Sequence, residues 1–225
     1  MLAVQASDTR LTAAESVPQI IVKQNSAEAQ LLALLKEKSV CQGNFTLASG
    51  AQSDFYVDAK LTTLDPRGAS LVGQVGWKHI QDTAAELGVQ IDAVGGLTMG
   101  ADPIALSIGI AAHAENPQTT LQTFTVRKQA KAHGRHKLIE GNFSAGNCVV
   151  VIDDVITTGG STLQAIDAVE SEGGQVAFVL VLVDRWEGGR ETIEERGHKV
   201  VSLFTRADLT AANAGQQSHP ASLTP

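Results

Sequence analysis

Aromatic residues make up only 4% of this 225-residue chain, and cysteine occurs twice. No apolar run approaches the roughly 18–20 residues that would cross a bilayer. Cys41 and Cys148 lie far apart and form no Cys-x-x-Cys pair, which argues against a zinc ribbon, a thioredoxin-type site and a disulfide framework. Cys148 opens the apolar run Cys148-Val149-Val150-Val151-Ile152, where a buried thiol is expected. Free thiols suit a reducing compartment. The first residues, with Asp8, Arg10 and Glu15 scattered through them, lack the apolar stretch of a signal peptide. A cytoplasmic protein without membrane contact is expected. Positive charge is scarce too: 17 Lys+Arg against 24 Asp+Glu gives a net charge of −7, so the surface as a whole repels nucleic acid. What is plentiful is apolar side chain, 43% of residues, with 21 glycines. That composition excludes a disordered or collagen-like chain, and one domain of this length should bury roughly 70–75% of its extended surface.

Residues 1–24 show no sustained period and read as a loose extension; 211–225, rich in Ala, Gln, Ser and Pro, read as a tail. Between them, helix and strand signals alternate. Asn25-Ser26-Ala27-Glu28 has capping-box spacing before leucines at 31, 32, 34 and 35, predicting a helix to about 39. Phe45-Thr46-Leu47, a Ser49-Gly50 turn and Phe55-Tyr56-Val57-Asp58 suggest a hairpin. Pro66 suits the first turn of a helix that runs to Leu87 and stops at Gly88. A strand is expected over 91–94, ending at Gly95-Gly96, then a helix over 101–113 and a strand over 121–126. The continuous β-branched run 149–152 reads as a central parallel strand buried on both faces. A helix over 160–173, a strand over 176–183, a helix over 189–196 and a strand over 200–204 follow. This alternation predicts an α/β fold with a doubly wound parallel sheet, whose ligands sit beyond the C-terminal strand ends.

The sharpest constellation follows the strand at 149: Asp153-Asp154-Val155-Ile156-Thr157-Thr158-Gly159-Gly160-Ser161-Thr162. Glycines let backbone N–H groups turn inward, hydroxyls add donors, and the helix N-terminus adds positive potential, an arrangement that holds a phosphate monoester. The carboxylates cannot hold phosphate; they can accept hydrogen bonds from sugar hydroxyls, bind hydrated magnesium, or stabilise positive charge on a sugar carbon. A phosphorylated sugar fits both halves. The run is neither a Walker A loop nor Gly-x-Gly-x-x-Gly. It resembles the phosphoribosyl-pyrophosphate motif of the type I phosphoribosyltransferases. The resemblance implies that Asp153 and Asp154 hold the ribose, that Val155, Ile156, Thr157, Thr158, Gly159, Gly160 and Ser161 form the donor loop, and that the 5′-phosphate binds at Thr157 to Ser161.

Arg127-Lys128-Gln129-Ala130-Lys131-Ala132-His133-Gly134-Arg135-His136-Lys137 places five of the 17 cations and two histidines in 11 residues without an acid. Such a run is an ordinary solvated loop or, at this end of a sheet, a group of cations for a leaving pyrophosphate, closing to exclude water. With Ile139-Glu140-Gly141 it resembles the catalytic loop of the orotate phosphoribosyltransferases. That resemblance implies that Lys131 is the main catalytic residue, that Arg127, Lys128 and His133 bind pyrophosphate oxygens, and that the loop of one subunit serves its homodimer partner. Phe45 to Gly50 with Ser53 and Phe55 to Asp58 is similar to the family's hood over the base, about 25–65 within a domain of 25–210. Gly95 to Pro103 is similar to its pyrophosphate loop. Arg185, after Val183-Asp184, matches the arginine that faces orotate, Tyr56 and Thr157 joining it in the base site; the alternative for Arg185 is a surface pair with Glu187. Two positions depart from the pattern of many members, which carry Lys where this chain has Ala48 and Met99; Lys60 is a candidate substitute. The expected activity is transfer of the phosphoribosyl group from 5-phosphoribosyl 1-pyrophosphate (PRPP) to orotate, a step of pyrimidine biosynthesis, with Mg2+ held mainly by the donor pyrophosphate. A phosphoribosyltransferase for another base, or a donor-binding regulatory protein, remain alternatives.

Overall fold

The computed structural model describes residues 26–46, 52–129 and 138–211. The expected terminal extension, most of the tail, Ala48 with its Ser49-Gly50 turn, and Lys131 and His133 lie outside the described residues. Helix α1 (Ala27–Lys38) begins at Ser26, whose hydroxyl accepts the Ala29 N–H at 3.1 Å. The cap is therefore one residue later than the Asn25…Glu28 spacing suggests, and Ala29 at the third position cannot complete a box. Strands β1 (Val40–Thr46) and β2 (Gln52–Val57) form an antiparallel pair of their own. A single turn, α2 (Lys60–Thr63), leads to α3 (Pro66–Leu87). Asp65 caps α3 by accepting the Gly68 N–H at 2.9 Å, and Gly88 ends it with φ 66°, a left-handed conformation that glycine adopts without strain.

The main sheet contains β3 (Ala93–Leu97), β4 (Gln122–Val126), β5 (Ile139–Gly141), β6 (Cys148–Ile156), β7 (Gln175–Asp184) and β8 (Val200–Thr205), in the order β5-β4-β3-β6-β7-β8. Helices α4 (Ala101–Glu115), α5 (Gly160–Ser171) and α6 (Gly189–Glu194) connect them, and α7 (Arg206–Thr210) follows the last strand. All pairings are parallel except β4–β5. The expected doubly wound sheet is therefore present, with an antiparallel edge that the short run at 139 did not announce.

Alternation along the strands fills two cores. Val94, Val150, Ile152, Phe178 and Leu180 pack with α1, α3 and α4 on one face. Ala93, Val149, Val151, Val179 and Val181 pack with α5 and Ile193 of α6 on the other. Each fully buried Val, Ile, Leu or Phe contributes about 1.5–3 kcal/mol, so the strands nearest the candidate site are also the most firmly held. Leu31, Leu34, Leu35, Phe55 and Val57 belong to the first core, so the N-terminal segment is continuous with the main domain.

Two strand ends differ from expectation. β3 continues through Gly95-Gly96 to Leu97 because glycine is needed within the strand: a Cβ on Gly96 would lie 2.0 Å from the Ile152 carbonyl oxygen and 2.8 Å from Ala101 Cβ. β6 continues four residues past Ile152 because β7 still pairs with it, up to Ile156 opposite Asp184. The aspartates therefore sit on a rigid strand rather than beyond its tip.

Candidate active site

On the β3 side the pairing of β6 stops at Gly96–Ile152, which opens the sheet beside Asp153 and Asp154. The two neighbouring carboxylates then diverge. Asp153, 8% exposed, points toward α5 and accepts the Thr162 hydroxyl at 2.5 Å and the Asp154 N–H at 3.0 Å. Asp154 points toward the start of α4, where a Cβ on Gly100 would lie 2.4 Å from its Oδ1. Burial pushes the Asp153 carboxyl up to about 7, the charge of Asp154 adds to the rise, and the Thr162 bond opposes it. Asp153 thus holds its proton to far higher pH than a solvated carboxyl does, while the half-exposed Asp154 faces the opening.

Residues 157–159 turn from β6 into α5. Gly159 occupies the N-cap with φ 83°, and no side chain caps the helix, so its first-turn N–H groups are left for an anion. Thr158, Gly160 and Ser161 are exposed around that turn. Behind it lies Gly189: a Cβ there would meet the Thr157 carbonyl oxygen at 2.4 Å and the Gly159 nitrogen at 2.8 Å. The turn is therefore shaped from behind by the next crossover, a constraint that only the fold reveals.

Arg185 follows the Ile156–Asp184 pair and donates its backbone N–H to the Ile156 oxygen at 3.2 Å, which places it one strand from the loop. Its pairing with Glu187 exists, at 2.7 Å, but the guanidinium is not at the surface, being 4% exposed. Nη2 also donates to the Phe55 carbonyl at 3.1 Å, and the guanidinium lies 5.9 Å from the centre of the Phe55 ring. Arg206 approaches the same ring at 5.2 Å. Trp186 takes a left-handed backbone, φ 56°, with its N–H on Asp184 Oδ1 at 2.9 Å, so Arg185 turns inward and Trp186 outward. Asp184 is itself held by Arg190 at 2.8 Å.

On the hood side, Tyr56 is exposed between buried Phe55 and Val57. The Lys60 ammonium pairs with Asp58 at 2.8 Å, and Asp58 together with the field of Asp154 holds the lysine above its usual range. At the far side, β5 returns antiparallel to β4, with Val126 opposite Ile139, so the basic segment joins two paired strands. Arg127 pairs with Glu140 at 3.6 Å, and the Lys128 carbonyl accepts Gln164 of α5 at 2.9 Å. β4 lies two strand spacings from β6, about 10 Å. Met99, exposed, and Gly100 lie between; Thr98 and Thr125 both donate to Asp102, Thr98 at 2.7 Å, and so fix this loop. The sequence placed Phe55 in the hood and Gly100 in the pyrophosphate loop without their individual contacts, and marked no separate role for Thr162 or Gly189. Thr162 was detectable as a hydroxyl one turn inside the helix, whereas the other three act through contacts distant in sequence.

The sheet order, the carboxylates at the end of β6 and the uncapped anion turn together define a phosphoribosyltransferase of the type I class. No family model matches the chain. It is 41% identical over 181 residues to the orotate phosphoribosyltransferase of Rhodopirellula baltica, covering 80% of this chain and 93% of that one. It is 47% identical over 166 residues to that of Streptomyces coelicolor, covering 74% and 87%. A crystal structure of the Mycobacterium tuberculosis orotate phosphoribosyltransferase in complex with PRPP superposes with a TM-score of 0.67 at 35% identity, covering 83% of this chain and 100% of that one. The chain belongs to the orotate phosphoribosyltransferase family.

Proposed function

We propose that the protein transfers the phosphoribosyl group of PRPP to orotate, giving orotidine 5′-phosphate and pyrophosphate. The observation that carries this reading is the adjacency of an anion turn, a half-exposed carboxylate and a buried guanidinium at the ends of two paired strands. In the reaction the bond from ribose C1 to the pyrophosphate oxygen breaks, and a bond from C1 to a ring nitrogen of orotate forms as that nitrogen loses its proton. The N–H groups opening α5, with Thr157, Thr158, Gly159, Gly160 and Ser161, hold the 5′-phosphate. Asp154 accepts ribose hydroxyls and favours positive charge at C1. Asp153 supports it from behind, and Val155 and Ile156 supply the backbone between them. Arg185 receives the orotate carboxylate, a charge-assisted hydrogen bond, with Thr157 and Tyr56 beside the ring. Segment 25–65 is the hood over the base, within a domain of 25–210.

Arg127 and Lys128 meet the pyrophosphate, and Lys131 and His133 are assigned to the leaving group through their motif. Lys60 adds positive charge beside Asp154. Among the described residues no group of three His, Cys, Asp or Glu could hold a metal, while the aspartates offer hard oxygen donors. This donor set fits a magnesium ion that takes most of its ligands from the substrate and water. When bound, the ion neutralises pyrophosphate charge.

A homodimer is supported by the exposed Leu106 and Ile110 on α4, beside an apolar groove of about 740 Å3 against α3, and its sharing of the basic loop rests on the motif alone. No described helix is long and apolar enough to cross a membrane, and Cys41 and Cys148 are free thiols, as suits a cytoplasmic enzyme. The test is loss of orotate ultraviolet absorbance with PRPP and Mg2+, with adenine, hypoxanthine and uracil as controls. Turnover of orotate alone is expected; turnover of another base, or donor binding without turnover, overturns the reading.

A further inference from the structure

Arg185 is buried, yet its neighbours satisfy only part of it. The bonds of the guanidinium to Glu187, at 2.7 Å, and to the Phe55 carbonyl, at 3.1 Å, are both made by Nη2. Among the described residues its Nε–H is buried with no acceptor. A buried N–H on a charged group without a partner is costly, and native structures rarely leave one without a use. The planar guanidinium turns as a unit, so whatever holds Nη2 also sets the direction of Nε. Glu187 Oε1 and the Phe55 oxygen hold it from two sides, and the Phe55 ring lies against the cation.

We infer that Glu187 is a positioning residue of the base site: by holding Nη2 of Arg185, together with the Phe55 carbonyl, it leaves Nε–H directed at the carboxylate of the acceptor. The inference rests on the reading of orotate as that acceptor. It makes Glu187 more than a counter-ion. A carboxylate 27% exposed would only offset the charge of Arg185 if its sole task were to neutralise it, and any nearby anion would serve. Positioning instead requires an oxygen at this point, charged or not. The role also links the base site to the hood, because the second support of Nη2 is the backbone of β2, 130 residues away in sequence.

The experiment is steady-state kinetics of the full-length protein carrying Glu187→Ala or Glu187→Gln, with orotate and PRPP varied in turn. E187A is expected to raise KM for orotate at least tenfold while KM for PRPP stays within twofold. E187Q, which keeps an oxygen acceptor for Nη2 but no charge, should stay within threefold of the wild type. If E187A does not fold, Glu187→Asp, whose shorter side chain cannot reach Nη2, carries the same expectation. An unchanged KM for orotate in E187A, equal rises in both KM values, or E187Q behaving like E187A would overturn the inference. Wild-type protein inactive on orotate would overturn the acceptor reading and this inference together, whereas active wild type with an unchanged E187A overturns the inference alone.

Discussion

Asp153→Asn is the most informative perturbation of the site. The carboxyl is 8% exposed, and burial pushes it from 3.8 in an open chain to about 7. Between those values the native protein binds a proton that the unfolded chain releases, so this group's contribution to stability is fully present below pH ~3.8 and disappears as the pH rises through about 7. The shift of roughly three units corresponds to about 4 kcal/mol in total, of which about 3 kcal/mol falls between pH 5 and pH 8. Asparagine cannot ionise and should remove that dependence. It keeps an acceptor for the Thr162 hydroxyl but turns an N–H toward the Asp154 N–H, so at pH 5 the variant should be about 1–2 kcal/mol less stable than the wild type. At pH 8 the order should reverse. Urea unfolding followed by circular dichroism at pH 5 and pH 8, at one protein concentration, reads this as a relative midpoint shift of about 1 M. A wild-type-to-variant difference that stays constant within about 0.5 kcal/mol across that range would refute the assignment of a raised Asp153.

Thr162→Val removes the hydroxyl that favours ionised Asp153; it should destabilise the protein by about 1–3 kcal/mol at pH 8 and move the pH dependence of unfolding upward. In Gly189→Ala, the new Cβ would press on the Thr157 carbonyl and the Gly159 nitrogen, so PRPP affinity by calorimetry should fall about tenfold and thermal stability by about 1–3 kcal/mol. Lys60→Gln should raise KM for PRPP several-fold with KM for orotate unchanged, an effect that Lys60→Arg should largely restore and added salt should diminish. Arg185→Lys loses the planar fork; KM for orotate should rise at least tenfold, and an unchanged value would remove Arg185 from the base site.

Much of this could be read directly from the chain. The β-branched run at 149 specifies a strand buried on both faces, and alternation within it assigns Val149 and Val151 to one core and Val150 and Ile152 to the other. Pro66 and Gly88 mark the two ends of α3 because their backbone limits act within a single residue. The Thr157 to Ser161 turn is likewise local: glycine and hydroxyl residues at the start of a helix make an anion site wherever the helix is placed.

Local patterns are weaker where pairing decides. Gly95-Gly96 has the composition of a turn, but β4 and β6 on either side keep it in the sheet. The pair Asp153-Asp154 has the composition of a twin-carboxylate site, yet the strand sends one side chain to Thr162 and the other past Gly100, so the two differ in burial and in what they touch. Sequence alone therefore determined which residues have the chemistry to hold phosphate, sugar and charge, because those capacities belong to side-chain chemistry and short spacings. Only the tertiary structure decided that Asp153 is buried with its carboxyl pushed up to about 7, that Gly189 backs the turn at 157–159, and that Arg185 is held by Glu187 and the Phe55 carbonyl. Burial and cross-chain contact are set by what packs against a residue from elsewhere in the chain, and no local spacing encodes that.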